Sequence, residues 1–421
     1  MHDLATLRED DLNRFYTRDI IGDLLVDQLN DVVVNSFLDL GAGDGSLSRS
    51  AFKRWKNATG VTVDLDSDSK PDLGSDHSYN HFHYFLDILK SDLKVIGDKY
   101  GTFDLAVCNP PFFKPDWTRE HSDFVDEVNL LGGLPKKTDL NAEIIFLAQN
   151  LRMLRVGGQL AIILPDNVIT GHRFANFRLE LTQKHCIQKV VQLPSHSCHW
   201  TEARCFVLFL KKNVKQTPSI ELLKFNRDQS YSNVISIPFE GAKQRLDYNY
   251  HAAQKALGDN LSNLMVCGAE IRRGSVSSAQ ARNSSFQTFH TSDYKEMMPD
   301  GTVSFPDQIN TLPSNKYIEC VPGDILLARV DRKLHQKVAI VKSGSAIITD
   351  CVYRVRLPES IRELAFRALR SEEGAYALQA VTKGVGARLL GKADLLQLPL
   401  KIQQGTNLSK NTALESHRPL F

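Results

Sequence analysis

The run VVVNSFLDLGAGDGSLSRSAF, residues 32–52, constrains this chain more than any other stretch. Residues 37–40 have the composition of a buried strand. Gly41, Gly43 and Gly45 supply a tight turn, and residues 46–55 suit a helix. A strand, a glycine turn and a helix in that order form the opening of a βαβ unit and the common geometry of a nucleotide-cofactor site. Glycine there lets the backbone approach a ligand closely. The spacing is G-x-G-x-G, not the dinucleotide G-x-G-x-x-G, and Asp39 and Asp44 bracket it. Those carboxylates repel a pyrophosphate and attract a cationic amino-acid group, which favours S-adenosyl-L-methionine (SAM) over NAD.

Further strands and helices follow in alternation. Residues 8–30 begin polar and become an amphipathic helix, with Ile20, Ile21, Leu24, Leu25 and Leu29 at helical spacing. GVTVDLDSD, residues 60–68, supplies a second strand with Asp64 at its end, where an acid is placed to hold ribose hydroxyls. Residues 67–80 suit an exposed loop. HFHYFLDIL, residues 81–89, gives a third strand ending at Asp87 and Ile88, a hydrogen-bonding group and an apolar face for the cofactor's adenine. Residues 103–107 form a fourth strand. Residues 114–141, polar and holding Gly132, Gly133 and two prolines, suggest a mobile active-site loop. A helix over 142–154 is capped by Gly157 and Gly158, with a strand over 159–164, a helix over 173–185 and strands over 187–193 and 205–210. This alternation over residues 30–212 predicts a doubly wound α/β domain.

A polar stretch with a proline, residues 211–219, marks a boundary. The expected organisation is an N-terminal helical segment (1–30), a catalytic domain (31–215) and a second domain (216–421). The second half is less regular: strand-like VPGDILLARV, KVAIV and AIITDCVYRVRL, a serine-rich stretch at 275–285, helix over 359–381, and a polar tail from Gln403 with the composition of a disordered segment. The first 215 residues carry 25 Lys+Arg against 29 Asp+Glu, a charge of −4; the remainder carries 26 against 20, a charge of +6. The basic half suits contact with a polyanion.

The fourth strand runs into AVCNPPFF. Two successive prolines fix φ and donate nothing, so the Asn109 amide and the Pro110 carbonyl stay open to a ligand, and Phe112 offers a flat face beside them. An amide acceptor, a carbonyl and a stacking ring describe a site for a planar amine such as the adenine edge. Other chemistries are disfavoured. Seven cysteines without C-x-x-C spacing suit reduced thiols in a cytoplasmic protein. His196, Cys198, His199 and Cys205 fit no zinc spacing, so no metal is expected. No window approaches the roughly 18 apolar residues of a membrane span, and MHDLATLREDD lacks the apolar core of a secretory signal.

DLGAGDG at 39–45 followed by NPPF at 109–112 resembles the SAM-dependent amino-methyltransferases. The order of these motifs, with RFYT at 14–17 ahead and AEIIFLAQNLRMLRVGGQLAIILPDN after, is similar to the gamma class of N6-adenine DNA methyltransferases. The resemblance covers roughly residues 12–212. It implies a Rossmann-like domain with a mixed seven-stranded sheet. It also implies a reaction: Asn109 and the Pro110 carbonyl accept hydrogen bonds from N6 of a flipped-out adenine, and Phe112 stacks on the base. Trp200 would form the opposite wall, with His199 as the rival position. Tyr16, Thr17, Asp39, Gly41 and Gly43 would hold the methionine end of SAM, Asp64 the ribose, Asp87 and Ile88 the adenine, with Asn109 also bordering the cofactor.

PGDILLARVDRK and KGVGARLLGKADLLQLPL look like a target-recognition domain of type I specificity subunits. One such domain stands here instead of a tandem pair, which leaves open whether a half-site is read or a dimer is needed. The expected second domain is α+β, with Arg272, Arg273, Arg329, Arg332, Lys333 and Lys337 as candidates for phosphate or guanine contact. The implied partner is double-stranded DNA, with a cognate restriction enzyme or a second copy beside it, in a nucleoid-associated protein. No nuclease motif stands out, which suggests a modification enzyme. The rival readings are an amino-methyltransferase acting on ribosomal RNA or protein glutamine, and a non-catalytic DNA-binding subunit.

Overall fold

The structure, a computed structural model, describes residues 19–29, 33–67, 70–74, 78–138, 140–194, 197, 204–306, 316–384 and 387–402. Tyr16, Thr17, His196, Cys198, His199, Trp200 and the tail from Gln403 lie outside the described residues. The chain divides into two compact units, Met1–His251 and Ala252–Phe421.

The first unit is built on a nine-stranded sheet. Its strands are β1 (Ser36–Leu40), β2 (Thr59–Asp64), β3 (Asn80–Phe85), β4 (Phe103–Cys108), β5 (Leu154–Pro165), β6 (Cys186–Gln192), β7 (Cys205–Lys211), β8 (Ser219–Lys224) and β9 (Ile235–Pro238). They are ordered β3-β2-β1-β4-β5-β7-β6-β8-β9. β7 runs antiparallel to β5 and β6, β9 runs antiparallel to β8, and the remaining pairs are parallel. The helices are α1 (Asp19–Asp27), α2 (Ser46–Arg54), α3 (Lys94–Tyr100), α4 (Arg119–Glu127), α5 (Ala142–Met153), α6 (Asp166–Thr170) and α7 (Ala175–Lys184), and α8 (Tyr248–Leu257) spans the division at His251.

The central strands read as apolar runs because helices cover both faces of a parallel sheet. Phe37 of β1 and Phe52 of α2 meet edge to face at 4.7 Å. Gly60 of β2 makes room for them: a Cβ there would lie 2.5 Å from the Phe37 ring and closer still to Phe52. Thus one glycine in a strand is a packing requirement and not a bend.

The seven expected strands are present as β1 to β7, and β8 and β9 extend the sheet. The unit therefore continues to His251, past the boundary expected at residue 215, because Ile220 and Leu222 of β8 are fully buried by pairing with β6. Residues 114–141 also differ from the expected mobile loop. Thr118 and His121 form a reciprocal cap on α4, residues 131–133 form a 3-10 turn, and Leu130, Leu134 and Leu140 are buried. Spaced leucines in that polar stretch supply the anchoring that composition alone hides. Gly157 and Gly158 do not cap α5, since β5 starts at Leu154 directly after it.

The second unit is α+β. Its strands are β10 (Glu270–Arg273), β11 (Thr288–Phe289), β12 (Thr302–Ser304), β13 (Glu319–Cys320), β14 (Ile325–Ala328), β15 (Val330–Asp331), β16 (Val338–Ser343), β17 (Ala346–Ile348), β18 (Val352–Arg356) and β19 (Arg388–Leu389). They form a five-stranded sheet β10-β18-β14-β16-β12, a three-stranded sheet β11-β17-β13 and a two-stranded pair β15-β19. Its helices are α9 (Ser278–Arg282), α10 (Glu359–Arg370), α11 (Glu372–Val381) and α12 (Lys392–Leu396). The expected helix over 359–381 is broken at Ser371, whose hydroxyl accepts from the Gly374 amide and starts α11 afresh.

Candidate active site

In the first unit the strand order reverses between β1 and β4, and open α/β sheets bind ligands at that switch point, outside the carboxyl ends of the strands. The parallel register pairs Leu38 with Ala106 and Asp39 with Val107, so the two strands end side by side. Cys108 donates its thiol proton to the Leu40 carbonyl at 3.2 Å, and burial pushes that thiol well above the ordinary range. The next residues are the glycine turn on β1 and Asn109 on β4. A Cβ added to Gly41 would lie 3.9 Å from the Asn109 carbonyl oxygen.

Gly41, Gly43 and Gly45 adopt φ of 77°, 54° and 82°, a region that side chains strain to enter. The turn is held from the neighbouring strand. Gly41 and Ala42 donate to the Val63 carbonyl, and Gly43 donates to Asp64 Oδ2 at 2.8 Å. Asp66 donates its amide to Asp64 Oδ1 at 3.1 Å. Asp64, expected to take ribose hydroxyls, is thus already a brace for the turn; each oxygen keeps a second lone pair for a ligand. Asp39 lies beneath the turn, fully buried, and accepts from Ser48 of α2 at 2.6 Å. Its other oxygen has no hydrogen-bond partner among the described residues. Burial, opposed by the Ser48 bond and reinforced by Asp64 and Asp44, raises the Asp39 carboxyl to about 7.

The turn after β3 carries the other expected cofactor contacts. Asp87 Oδ1 accepts from the Leu89 amide at 3.0 Å, and Lys90 lies 3.0 Å from its second oxygen. Ile88 is buried. At the corner after β4, Asn109 and Pro110 are buried, Pro111 and Phe112 are half-buried, and Phe112 packs against the core. The Phe113 carbonyl accepts from the Ala142 amide, which seats α5 behind the corner. Glu143, in the first turn of α5, is buried with its carboxyl raised by burial and receives Asn141 Nδ2 at 3.0 Å.

Asp39, Gly41, Gly43, Asp64, Asn109 and Phe112 therefore converge on one switch point, with Asp87 and Ile88 on the next turn along the sheet. Two buried features escape a sequence reading. Arg204 lies 2.9 Å from Asp166, which also receives Thr170 Oγ1. Gln149 of α5 bonds the turn holding Ile88. The one signal for Gln149 is a polar pair, Gln149 and Asn150, in the apolar middle of α5 between Ile144 and Leu151.

The six basic candidates lie in the second unit and do not form one cluster of open charges. Arg272 pairs with Glu270 at 2.5 Å and Arg273 with Asp350 at 3.1 Å. Arg329 donates to the Asp350 carbonyl, and Lys337 pairs with Asp331 at 2.6 Å. Arg332 and Lys333 are exposed at the turn after β15. Among the described residues no group of three or more His, Cys, Asp and Glu side chains could hold a metal ion, and no helix is long and apolar enough to cross a membrane.

Residues 75–236 match the family model described as N-6 DNA Methylase, and residues 17–126 match one described as Methyltransferase small domain. No curated protein matches the sequence. Among solved structures the chain is similar to the type IIG restriction endonuclease BpuSI, at 14% identity and a TM-score of 0.46, covering 90% of this chain and 57% of that one. It is similar to the methyltransferase subunit of a type I restriction-modification system from Streptococcus thermophilus, at 21% identity and a TM-score of 0.42, covering 57% and 52%. It is also similar to a putative class I S-adenosylmethionine-dependent methyltransferase from Listeria monocytogenes, at 19% identity and a TM-score of 0.41, covering 52% and 68%. The chain spans little more than half the length of the first two. The N-6 DNA Methylase match takes in the NPPF corner, and the Methyltransferase small domain match takes in both that corner and the DLGAGDG turn, so the first unit carries a methyltransferase domain.

Proposed function

We propose that the chain is a site-specific DNA methyltransferase that moves the methyl group of SAM to N6 of adenine in duplex DNA, within a restriction-modification system. The observation that carries this reading is the NPPF corner, which lies inside the N-6 DNA methylase match, standing beside the glycine turn: the Asn109 backbone carbonyl oxygen is 3.9 Å from where a Cβ on Gly41 would be. Bound at the turn, SAM supplies an electrophilic methyl group.

The chain's own residues meet the chemical difficulty of the acceptor. The lone pair of an adenine amino group is delocalised into the ring. Asn109 Oδ1 and the Pro110 carbonyl accept its two hydrogens, which favours a tetrahedral nitrogen with its lone pair aimed at the methyl carbon. Phe112 stacks on the base and fixes its plane. No strong base is needed first, because the added positive charge lets the proton leave after transfer. Holding both reactants in line provides much of the rate. An adenine inside a duplex cannot reach this corner, so it enters flipped out. The second unit reads the DNA in this account, with Arg332 and Lys333 on phosphates. A restriction enzyme or a second copy is the proposed protein partner.

Incubation of the purified protein with methyl-labelled SAM and, in parallel reactions, unmodified genomic DNA, ribosomal RNA or release factor tests the reading. Label in N6-methyladenine of duplex DNA supports it. Label that enters only ribosomal RNA or release factor, or none at all, overturns it.

A further inference from the structure

One helix touches all three loops of the site. Ala142, Phe146 and Gln149 of α5 stand at i, i+4 and i+7, which is a single helical face. The Ala142 amide donates to the Phe113 carbonyl behind the NPPF corner, at 2.9 Å. The Phe146 ring closes under the glycine turn, 3.1 Å from where a Gly41 Cβ would be. Gln149 is fully buried and uses both hydrogens of its amide on the turn after β3, donating to the Ile88 carbonyl at 2.9 Å and the Ser91 carbonyl at 2.7 Å. Its orientation is fixed by chemistry: Arg152 Nη1, which can only donate, lies 2.6 Å from Gln149 Oε1. Arg152 is itself tied to the Asp92 carbonyl and to Glu127 of α4 at 2.5 Å, and stacks over Phe124 of α4.

We propose that Gln149 is a positioning residue for the adenine end of the cofactor. It holds residues 87–91 in the shape that presents Asp87 and Ile88, and it sets that turn in register with the corner through one rigid helix. The proposal rests on the SAM reading above and adds a residue that touches neither cofactor nor substrate. A turn attached only by its chain ends would sample other conformations, and adenine binding would have to order it each time. Two hydrogen bonds from a buried, clamped amide remove most of that cost.

The test is Gln149→Leu, which keeps the volume and removes both donors, with Gln149→Glu as a second variant that turns an acceptor toward two carbonyls. SAM and 5′-methylthioadenosine, a fragment with the adenine and no amino-acid end, are titrated by calorimetry alongside thermal melts. The expected result is an affinity loss of about tenfold for Gln149→Leu, equal for SAM and the fragment, with KM for SAM raised by the same factor. At saturating SAM, kcat and the KM for DNA stay within twofold. Gln149→Glu loses more and regains part of its affinity as the pH falls and the carboxyl becomes a donor. Wild-type affinity for SAM in a folded Gln149→Leu variant overturns this proposal alone, as does a loss confined to kcat. Failure of the wild-type protein to bind SAM overturns the cofactor reading and this proposal together.

Discussion

Asp39 makes the stability of the first unit depend on pH in a direction unusual for a carboxylate. The group is fully exposed to solvent in an unfolded chain and fully buried in the fold, where it accepts from the Ser48 hydroxyl at 2.6 Å. Burial raises its carboxyl from 3.8 to about 7. Across that window the folded state keeps a proton that the unfolded chain has released, so stability falls as pH rises through it and levels off above about 7. Three pH units at about 1.4 kcal/mol each put the difference on the order of 4 kcal/mol. Asp39→Asn is shape-preserving, can still accept from Ser48, and cannot ionise. Urea unfolding at pH 3.5, 5, 6, 7 and 8 should give similar stabilities for both proteins near pH 3.5, a wild-type deficit of about 1.7 kcal/mol at pH 5 and one on the order of 4 kcal/mol at pH 8. A cation bound at the turn favours the ionised carboxylate. SAM affinity should therefore climb toward pH 7 in the wild type and stay flat in Asp39→Asn. Stability curves that run parallel from pH 5 to 8 would refute the assignment of a buried, late-ionising carboxyl.

Other changes probe the rest of the architecture. Gly41→Ala places a side chain at φ 77° and presses it against Phe146, so a stability loss of about 2 kcal/mol is expected in denaturant, with weaker SAM binding. Adding Phe146→Leu should recover only the part due to crowding. Arg178→Met removes a buried guanidinium that donates to the carbonyls of Val168, Gly171, Ala242, Lys243 and Gln244; about 3–5 kcal/mol should be lost, and trypsin should cut within residues 239–247. The double change Arg332→Ala, Lys333→Ala should weaken DNA binding on every sequence alike. It should also lower the slope of log K against log salt by about 1.8, the value for two phosphate contacts.

The catalytic half was legible because its signals are local. A buried strand, three glycines and a helix can close in one way, and Asn-Pro-Pro-Phe after an apolar run can only be a corner. The alternation of elements then supplied the sheet. What escaped depends on distant partners. Nothing near Ser219–Lys224 says that it pairs with β6, so the unit looked complete thirty-six residues early, at 215 instead of 251. Residues 114–141 looked mobile because their glycines and charges are conspicuous, whereas the leucines that pin them find their contacts elsewhere in the fold. Asp64 was legible as an acid at a strand end, but its bond to the Gly43 amide is a property of the assembled turn. Gln149 was not legible, because a glutamine in a helix gives no sign that both its hydrogens are used on a loop 61 residues earlier in the chain. The basic residues of the second half were visible as charge, while the acids that neutralise Arg272, Arg273 and Lys337 were not.

The central claim is that Asn109 and its corner present an adenine amino group to SAM. The most direct measurement is a base-resolved map of DNA methylation in a host expressing the wild-type chain or Asn109→Ala, with SAM binding and folding of both proteins verified. The account predicts N6-methyladenine at one recurring sequence in the wild-type host and none with Asn109→Ala, although the variant still folds and binds SAM. Methylation retained by Asn109→Ala, or a mark carried on cytosine instead of adenine, would contradict it.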